Sequence, residues 1–456
     1  MIPPGLPRAQ EIRVDAWVMG FALLLSVAAS LIFGLAPAFF AADSDLQVTL
    51  REGSGRSNQN LGRQRARNFL AVTEIALAMI LLVAAGLLVR SFLDLTAVSP
   101  GFDVQHVLKT DVSLPQFEYS TPQQWAAFSD QLLARIQAEP GLQDSAVAAP
   151  LPLADGNVNL GFEIEGIPPV SKGTPRAADY VAVSPGYFHV MGIALLRGRN
   201  FAQEDSISAP RVTLISEAFA QHYFPNQNPV GKRLVFAFPP HEGIPREIVG
   251  VVGDVRDVAL HQEPGAMMYV PFAQAPFWGA DIVAKTTLNA SSVAAAIRRD
   301  VAAIDKDLPV SNVTSMAESI SDSVAQPRFR TMLLGLFGVL TLVLAAAGIF
   351  GVISYSVSYR THEIGIRMAL GATRESVLWL ILSQSAKLLL LGLAVGIPVA
   401  LVLTRLLSNL LFGVRPADPI TFAGVAILLA LVAMAASYVP TRRAMRVDPM
   451  VALRHE

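Results

Sequence analysis

Five stretches of the chain, near 17–40, 69–92, 331–357, 377–405 and 420–440, are apolar for long enough to cross a bilayer, which takes about 20 residues at a rise of about 1.5 Å each. A chain so patterned is committed to membrane-spanning helices, and its composition agrees. Hydrophobic residues make up 52% of the 456 and charged ones 16%, against roughly 25% charged in soluble domains. The first apolar stretch is too long for the core of a signal peptide and has no A-x-A site before a polar segment, so it reads as a span. A net charge of −1 leaves no basic face for phosphate neutralisation, which argues against nucleic acid as a partner. Cysteine is absent, so disulfides, thiolate metal sites and thiol redox chemistry are excluded.

Basic residues in the connecting segments set the orientation, because Lys and Arg are retained on the cytoplasmic side. Arg51, Arg56, Arg63, Arg65 and Arg67 lie in segment 41–67, Arg360, Arg367 and Arg374 in segment 358–376, and Arg442, Arg443, Arg446 and Arg454 in the tail. All three segments fall on one side of a five-span topology. Segment 93–330 then lies outside the cytoplasm. It reads as an α+β domain, with β-branched runs VLKTDVSL (107–114), RVTLIS (211–216), REIVGVVGDV (246–255) and ADIVAKT (280–286). Helical patterns fall near 121–138, 217–223 and 291–304, and turn signals such as Pro140-Gly141 and Ser184-Pro185-Gly186 are frequent.

Residues 14–52 and 417–455 align without a gap. Asp15 matches Asp418, Pro37 matches Pro440, Asp45 matches Asp448, and Leu50-Arg51 matches Leu453-Arg454. Each copy reads as an Asp cap, an apolar span, a Pro where the span ends, and a second Asp cap opening a short helix. On this echo, 1–67 is expected to be the remnant of a first module, one span at 17–40 plus a cytoplasmic linker.

A search for chemistry finds no catalytic and no metal site. There is no G-x-x-x-x-G-K-[ST] loop, no H-E-x-x-H, no G-x-S-x-G elbow, and the seven histidines are scattered. Glu74 and Lys387 lie inside apolar spans, where a central charge costs about 2.5–3.5 kcal/mol. Snorkelling of Lys387 with interfacial solvation of Glu74 is one account; an intramembrane pair tying the second span to the fourth is the other. Gly392 and Gly396 form a G-x-x-x-G suited to close helix packing.

The run RTHEIGIRMALGATRESV, 360–377, is a dense patch of charge between two spans. If 362–370 is helical, Glu363 and Arg367 pair at i, i+4, Ile366 and Leu370 make an apolar stripe, and Gly371 suits the stop. Such a helix has two uses, lying in the headgroups or docking into a groove of a cytoplasmic partner.

YRTHEIGIRMALGATRESVLWLIL and YVPTRRAMRVDPMVALRHE, with SPGYFHVMGIALLRGRNFAQED, ISEAFAQHYFPNQNPVGKRL and IVGVVGDVRD in the outer segment, resemble FtsX-like ABC transporter permeases of the MacB type. The layout is most similar to duplicated acidobacterial permeases with the amino-terminal module truncated. The resemblance implies an integral membrane α-helical protein with an inserted extracytoplasmic α+β domain like the MacB periplasmic core. It implies a span at 68–92, the outer domain at 93–330, and an FtsX-like permease domain at 331–456 with spans 331–357, 377–405 and 420–440 and a cytoplasmic coupling loop at 358–376. Carried over from the family, Glu363, Ile364, Gly365, Arg367, Met368, Gly371 and Ala372 would seat in a cytoplasmic ABC ATPase subunit, which holds the ATP and Mg; this chain would hold no cofactor. A second permease module, the lipid bilayer, and a periplasmic adaptor or outer-membrane channel are the other partners implied, in a bacterial inner membrane. Its role would be non-catalytic, converting ATP-driven closure into movement of the outer domain for export or extraction. An envelope scaffold whose outer domain binds or regulates a partner is the alternative.

Overall fold

The computed structural model describes residues 15–27, 56–153, 157–167, 176–236, 243–277, 279–311, 313–359 and 373–444. The chain forms two compact units, Ala97–Gln326 and the segments on either side of it. Among the described residues four helices are long and apolar enough to span a membrane, where the sequence reading expects five. The difference lies at the first apolar stretch: only α1 (Ala16–Val27) of it is described, and 28–40 falls outside. Helix α2 (Arg56–Ala97) is 42 residues long, about 63 Å at ~1.5 Å per residue, against a hydrocarbon core of about 30 Å. It begins within the polar run expected to be linker, because Gln, Arg and Leu there are good helix formers. Its apolar part starts at Arg67.

The inserted unit is built in chain order from β1 (Val107–Ser113), α3 (Pro122–Ala138), β2 (Ser145–Ala149), β3 (Val158–Ile164), β4 (Arg176–Val183), α4 (Tyr187–Val190), β5 (Leu195–Gly198), β6 (Val212–Ser216), α5 (Glu217–Tyr223) and β7 (Arg233–Phe236). There follow β8 (Pro245–Val252), β9 (Met267–Pro271), β10 (Gly279–Lys285), α6 (Ala290–Ile304), β11 (Thr314–Ser315) and α7 (Met316–Ser323). The helices start where side chains can take up orphan N–H groups. Asn289 Oδ1 accepts from the Ser292 N–H at 2.8 Å, Ser216 Oγ from Phe219 at 3.2 Å, and Ser315 Oγ from Glu318 at 3.1 Å.

The strands run β11-β1-β10-β2-β4-β3-β7-β8-β6-β9, with β5 on β8 and β9 returning in parallel to β4. That last pairing closes β4, β3, β7, β8, β6 and β9 into a ring. A single core cluster draws on every strand of the ring, through Tyr180, Phe162, Phe236, Ile248, Ile215 and Met268. The open part of the sheet carries α3 and α6 on one face, where Val112 and Ile282 meet Phe128, Leu132, Ile297 and Val301. Alternate residues of β2 serve opposite sides: Ala146 and Ala148 enter one core cluster, Val147 and Ala149 another. Strand β5 approaches β8 so closely that a Cβ at Gly250 would lie 2.7 Å from the Arg197 carbonyl, and Gly198 opposite sits at φ +78°. Strands β1 and β11 pair at Leu108 with Ser315 and Lys109 with Thr314.

The remaining spans are α8 (Ala325–Tyr359), α9 (Arg374–Leu406) and α10 (Pro419–Ala444). Pro440 lies inside α10 instead of at its end, since a helix in lipid can carry a Pro if the freed backbone groups find partners. Helix α2 is the hub: 56% of its most apolar window is buried, against 22% for each of the others. Its neighbours reach it through small residues. A Cβ at Gly392 would lie 2.5 Å from Ile75 Cγ2 and one at Gly396 2.9 Å from Met79 Cβ, so the G-x-x-x-G of α9 is seated on α2. Gly338 of α8 lies against Leu82 and Ala85, and Gly86 of α2 against Thr421 of α10. Overpacking such contacts costs about 1–3 kcal/mol. Gly396→Leu is therefore expected to lower the thermal unfolding midpoint in detergent, while Gly335→Leu, at a site with no neighbour within 4 Å, leaves it in place.

Candidate functional site

Polar side chains join the spans at two levels. Toward the end of α2 nearer Ala97, the Arg90 guanidinium meets Asp418 at 2.6 Å. Asp418 also accepts from the Thr421 N–H at 3.0 Å and hydroxyl at 2.6 Å, capping α10. Beside it Ser91 Oγ accepts from the Phe412 N–H at 2.7 Å. A single carboxylate thus starts one span and holds another by a charge-assisted bond. Asp15, its counterpart in the sequence echo, likewise accepts from the Trp17 N–H at 2.9 Å at the start of α1. The rest of the echo, Pro37, Asp45, Leu50-Arg51 and 445–456, lies outside the described residues.

Toward the arginine-rich end, the Arg67 guanidinium stacks 3.7 Å from the Tyr355 ring, and Ser356 Oγ donates to Gln384 Oε1 at 3.1 Å. Between α9 and α10 the hydroxyls of Ser385 and Ser437 meet at 2.7 Å. These bonds tie α2 to α8, α8 to α9, and α9 to α10 in the half of the bundle next to segment 360–372. The residues expected to couple to an ATPase, Glu363, Ile364, Gly365, Arg367, Met368, Gly371 and Ala372, lie outside the described residues. Their flanks are described: α8 ends at Tyr359, and α9 begins after Thr373, whose Oγ1 accepts from the Ser376 N–H at 3.4 Å.

Glu74 and Lys387 meet different neighbours in the bundle. Among the described residues no ion pair joins them. The Glu74 carboxylate occupies the space a side chain would need at Gly348 of α8, whereas Lys387 is exposed beside Asn68, Phe69 and Gln384. Helical phase explains this: Glu74 faces α8, one step around α2 from Val72, Ile75, Ala76 and Met79, which face α9.

The inserted unit carries its own buried ionic groups. Arg199 grips Asp205 through two bonds of 2.8 and 2.9 Å, which holds the carboxyl below its ordinary range. Arg246, fully buried, donates to Gln274 Oε1 at 3.1 Å, and burial lowers its guanidinium to about 10. Asp257 is 5% exposed; its Oδ2 accepts from Asn157 at 2.9 Å and its Oδ1 has no hydrogen-bond partner. Burial, then the charge of Asp179, pushes this carboxyl up to about 7. Burial likewise raises Asp281 to about 6. Among the described residues no group of three or more His, Cys, Asp or Glu could hold a metal.

Neither Arg90–Asp418 nor Asp257 figures among the site residues expected from sequence. Arg90 falls within a span and so escapes a count of loop charges, though a lone Arg near a span's end and an Asp at the last span's start were a legible signal. Asp257 had none, since its burial depends on strands far apart in the chain.

Residues 335–449 match the family model for the FtsX-like permease C-terminal region, and residues 69–328 match the MacB-like periplasmic core domain. The chain belongs to the FtsX-like, MacB-type family of ABC transporter permeases. The uncharacterized ABC transporter permease YknZ of Bacillus subtilis is 27% identical to this permease over 282 residues, covering 60% of this chain and 69% of that protein. The macrolide export ATP-binding/permease protein MacB of Mannheimia succiniciproducens is 26% identical over 282 residues, 59% of this chain and 42% of its own length. The permease thus spans less than half the length of that ATP-binding relative. Among solved structures, the periplasmic region of MacB from Actinobacillus actinomycetemcomitans aligns with a TM-score of 0.33 at 14% identity, over 51% of this chain and 98% of that one. The extracellular domain of YknZ aligns with a TM-score of 0.31 at 17% identity, over 45% of this chain and all of that one. The permease is a multi-pass membrane protein whose inserted unit is of the periplasmic core type.

Two outcomes follow from the site. In a double-mutant cycle of Arg90→Ala and Asp418→Ala, read by thermal unfolding in detergent, the pair is expected to couple by on the order of 1 kcal/mol. For Asp257, the folded carboxyl at about 7 exceeds the unfolded value of about 3.9, so the folded state binds the extra proton. Its contribution is complete below pH about 4 and is lost as pH rises through about 7. Asp257→Asn is expected to remove that decline, measured as the difference between variant and parent unfolding midpoints across pH 4 to 8.

Proposed function

We propose that this permease is a non-catalytic transmission subunit that couples ATP hydrolysis on a separate cytoplasmic ABC ATPase to movement of its inserted domain. The observation that carries this reading is α8, an unbroken helix from Ala325, where the inserted unit closes, to Tyr359, at the edge of the polar segment 360–372. Its i to i−4 backbone bonds run without interruption through its interior, which makes α8 stiff along its length. Bonds from α8 to α2 and α9 recruit the neighbouring spans at the same end. Glu363, Ile364, Gly365, Arg367, Met368, Gly371 and Ala372 are the contact with the ATPase, which holds the ATP and Mg. The bias of arginines supports a cytoplasmic place for that segment, with the inserted domain on the far side of a bacterial inner membrane. A second permease module completes the assembly, and the work done is export or extraction of a substrate beyond the membrane.

Co-expression of the full chain with its ABC ATPase tests this. Arg367→Glu is expected to reduce ATPase co-purification by more than about tenfold, the loss of one well-placed charged contact and its reversal, while Arg415→Glu leaves it unchanged. Co-purification indifferent to Arg367 would refute the coupling assignment. If the ATPase binds but its turnover leaves proteolysis of the inserted domain unaltered, the domain acts as a scaffold for a partner.

A further inference from the structure

Helices α2 and α9 run in step. Gly392 lies beside Val72 and Ile75, and Gly396, one turn on, beside Ala76 and Met79. Extending the register one turn the other way brings Lys387 level with Asn68 and Phe69, where the apolar part of α2 begins. A cavity of about 440 Å³ opens there. Its polar end holds Asn68, Gln384 and Lys387, and its apolar wall rises through Val72, Leu391 and Val395. The polar groups have capacity to spare. Lys387 is exposed and has no ion-pair partner among the described residues. Gln384 spends its Oε1 on Ser356, which leaves its NH2 to donate.

We propose that this cavity binds one anionic phospholipid of the phosphatidylglycerol type from the leaflet on the arginine-rich side. The phosphate lies against the Lys387 ammonium and the Gln384 NH2, and one acyl chain follows Val72, Leu391 and Val395. Charge complementarity selects the occupant, since an unpaired ammonium at the headgroup level attracts an anionic lipid. A choline headgroup carries its own cation and so offers the Lys387 ammonium no net negative charge. The apolar wall, of which Leu391 is 57% and Val395 53% exposed, would be purposeless for free phosphate. A lipid seated here presses on both partners of the α2–α9 contact, below the glycines that hold it.

Native mass spectrometry of the full chain in mild detergent, with added dioleoyl phosphatidylglycerol or phosphatidylcholine, tests the site. The wild-type chain is expected to retain one phosphatidylglycerol in preference to phosphatidylcholine. Lys387→Gln lowers that retention about fivefold, as one Lys near the membrane surface is worth about 1 kcal/mol, and Lys387→Arg preserves it. Val395→Trp, which fills the apolar end and leaves every polar group in place, lowers it as well and serves if Lys387→Gln fails to fold. Equal retention of both lipids, indifference to both Lys387→Gln and Val395→Trp, or displacement by millimolar inorganic phosphate would each overturn the proposal.

Discussion

Close approach to α2 is what the membrane half of this protein rests on. Lipid is as apolar as Leu, so spans gain nothing by hiding hydrophobic surface from it, and van der Waals contact with a few polar bonds must hold them together. Gly392 and Gly396 let α9 approach the α2 backbone, Gly338 seats α8 on Leu82 and Ala85, and Gly86 admits Thr421 of α10. With three helices seated on one, none can shift without changing its contact with α2. The cross-bonds then define where each pair is pinned, Arg90–Asp418 near one end, and Arg67–Tyr355 and Ser356–Gln384 near the other.

The inserted unit follows different rules because water drives its assembly. Its ring of six strands closes on aromatic contacts such as Phe162 with Phe219 at 4.9 Å and Tyr180 with Phe236 at 5.8 Å, and closure removes the edges through which exposed strands aggregate. Its buried charges are paired at Arg199–Asp205 and hydrogen-bonded at Arg246–Gln274. Asp257 is a half-satisfied carboxylate, and its raised titration makes the unit respond to protons.

The extent to which these features are readable from sequence tracks how local they are. Strands over 107–114, 211–216, 246–255 and 280–286 and the helices near 121–138, 217–223 and 291–304 carry their own periodicity and caps, and the structure places elements on each. Strand β2, SAVAA, is too short and alanine-rich to announce itself; it is a strand because β10 and β4 flank it. The parallel return of β9 to β4, which closes the ring, depends on residues far apart in the chain and left no trace. In the bundle, G-x-x-x-G was a local pattern and α9 uses it. Choosing between a Glu74 with Lys387 pair and separate solvation required knowing the relative rotation of two helices, a quantity hydropathy does not contain.

The first and last strands of the inserted unit, β1 and β11, are neighbours, bonded at Leu108–Ser315 and Lys109–Thr314. A domain whose entrance and exit are adjacent closes a short gap in its host whatever its bulk. It can be enlarged, trimmed or traded for another of like gauge without altering the chain separation its host must accommodate. The spanning helices and the inserted unit can therefore diversify at independent rates, with the β1–β11 clasp holding the inserted unit's own first and last strands together.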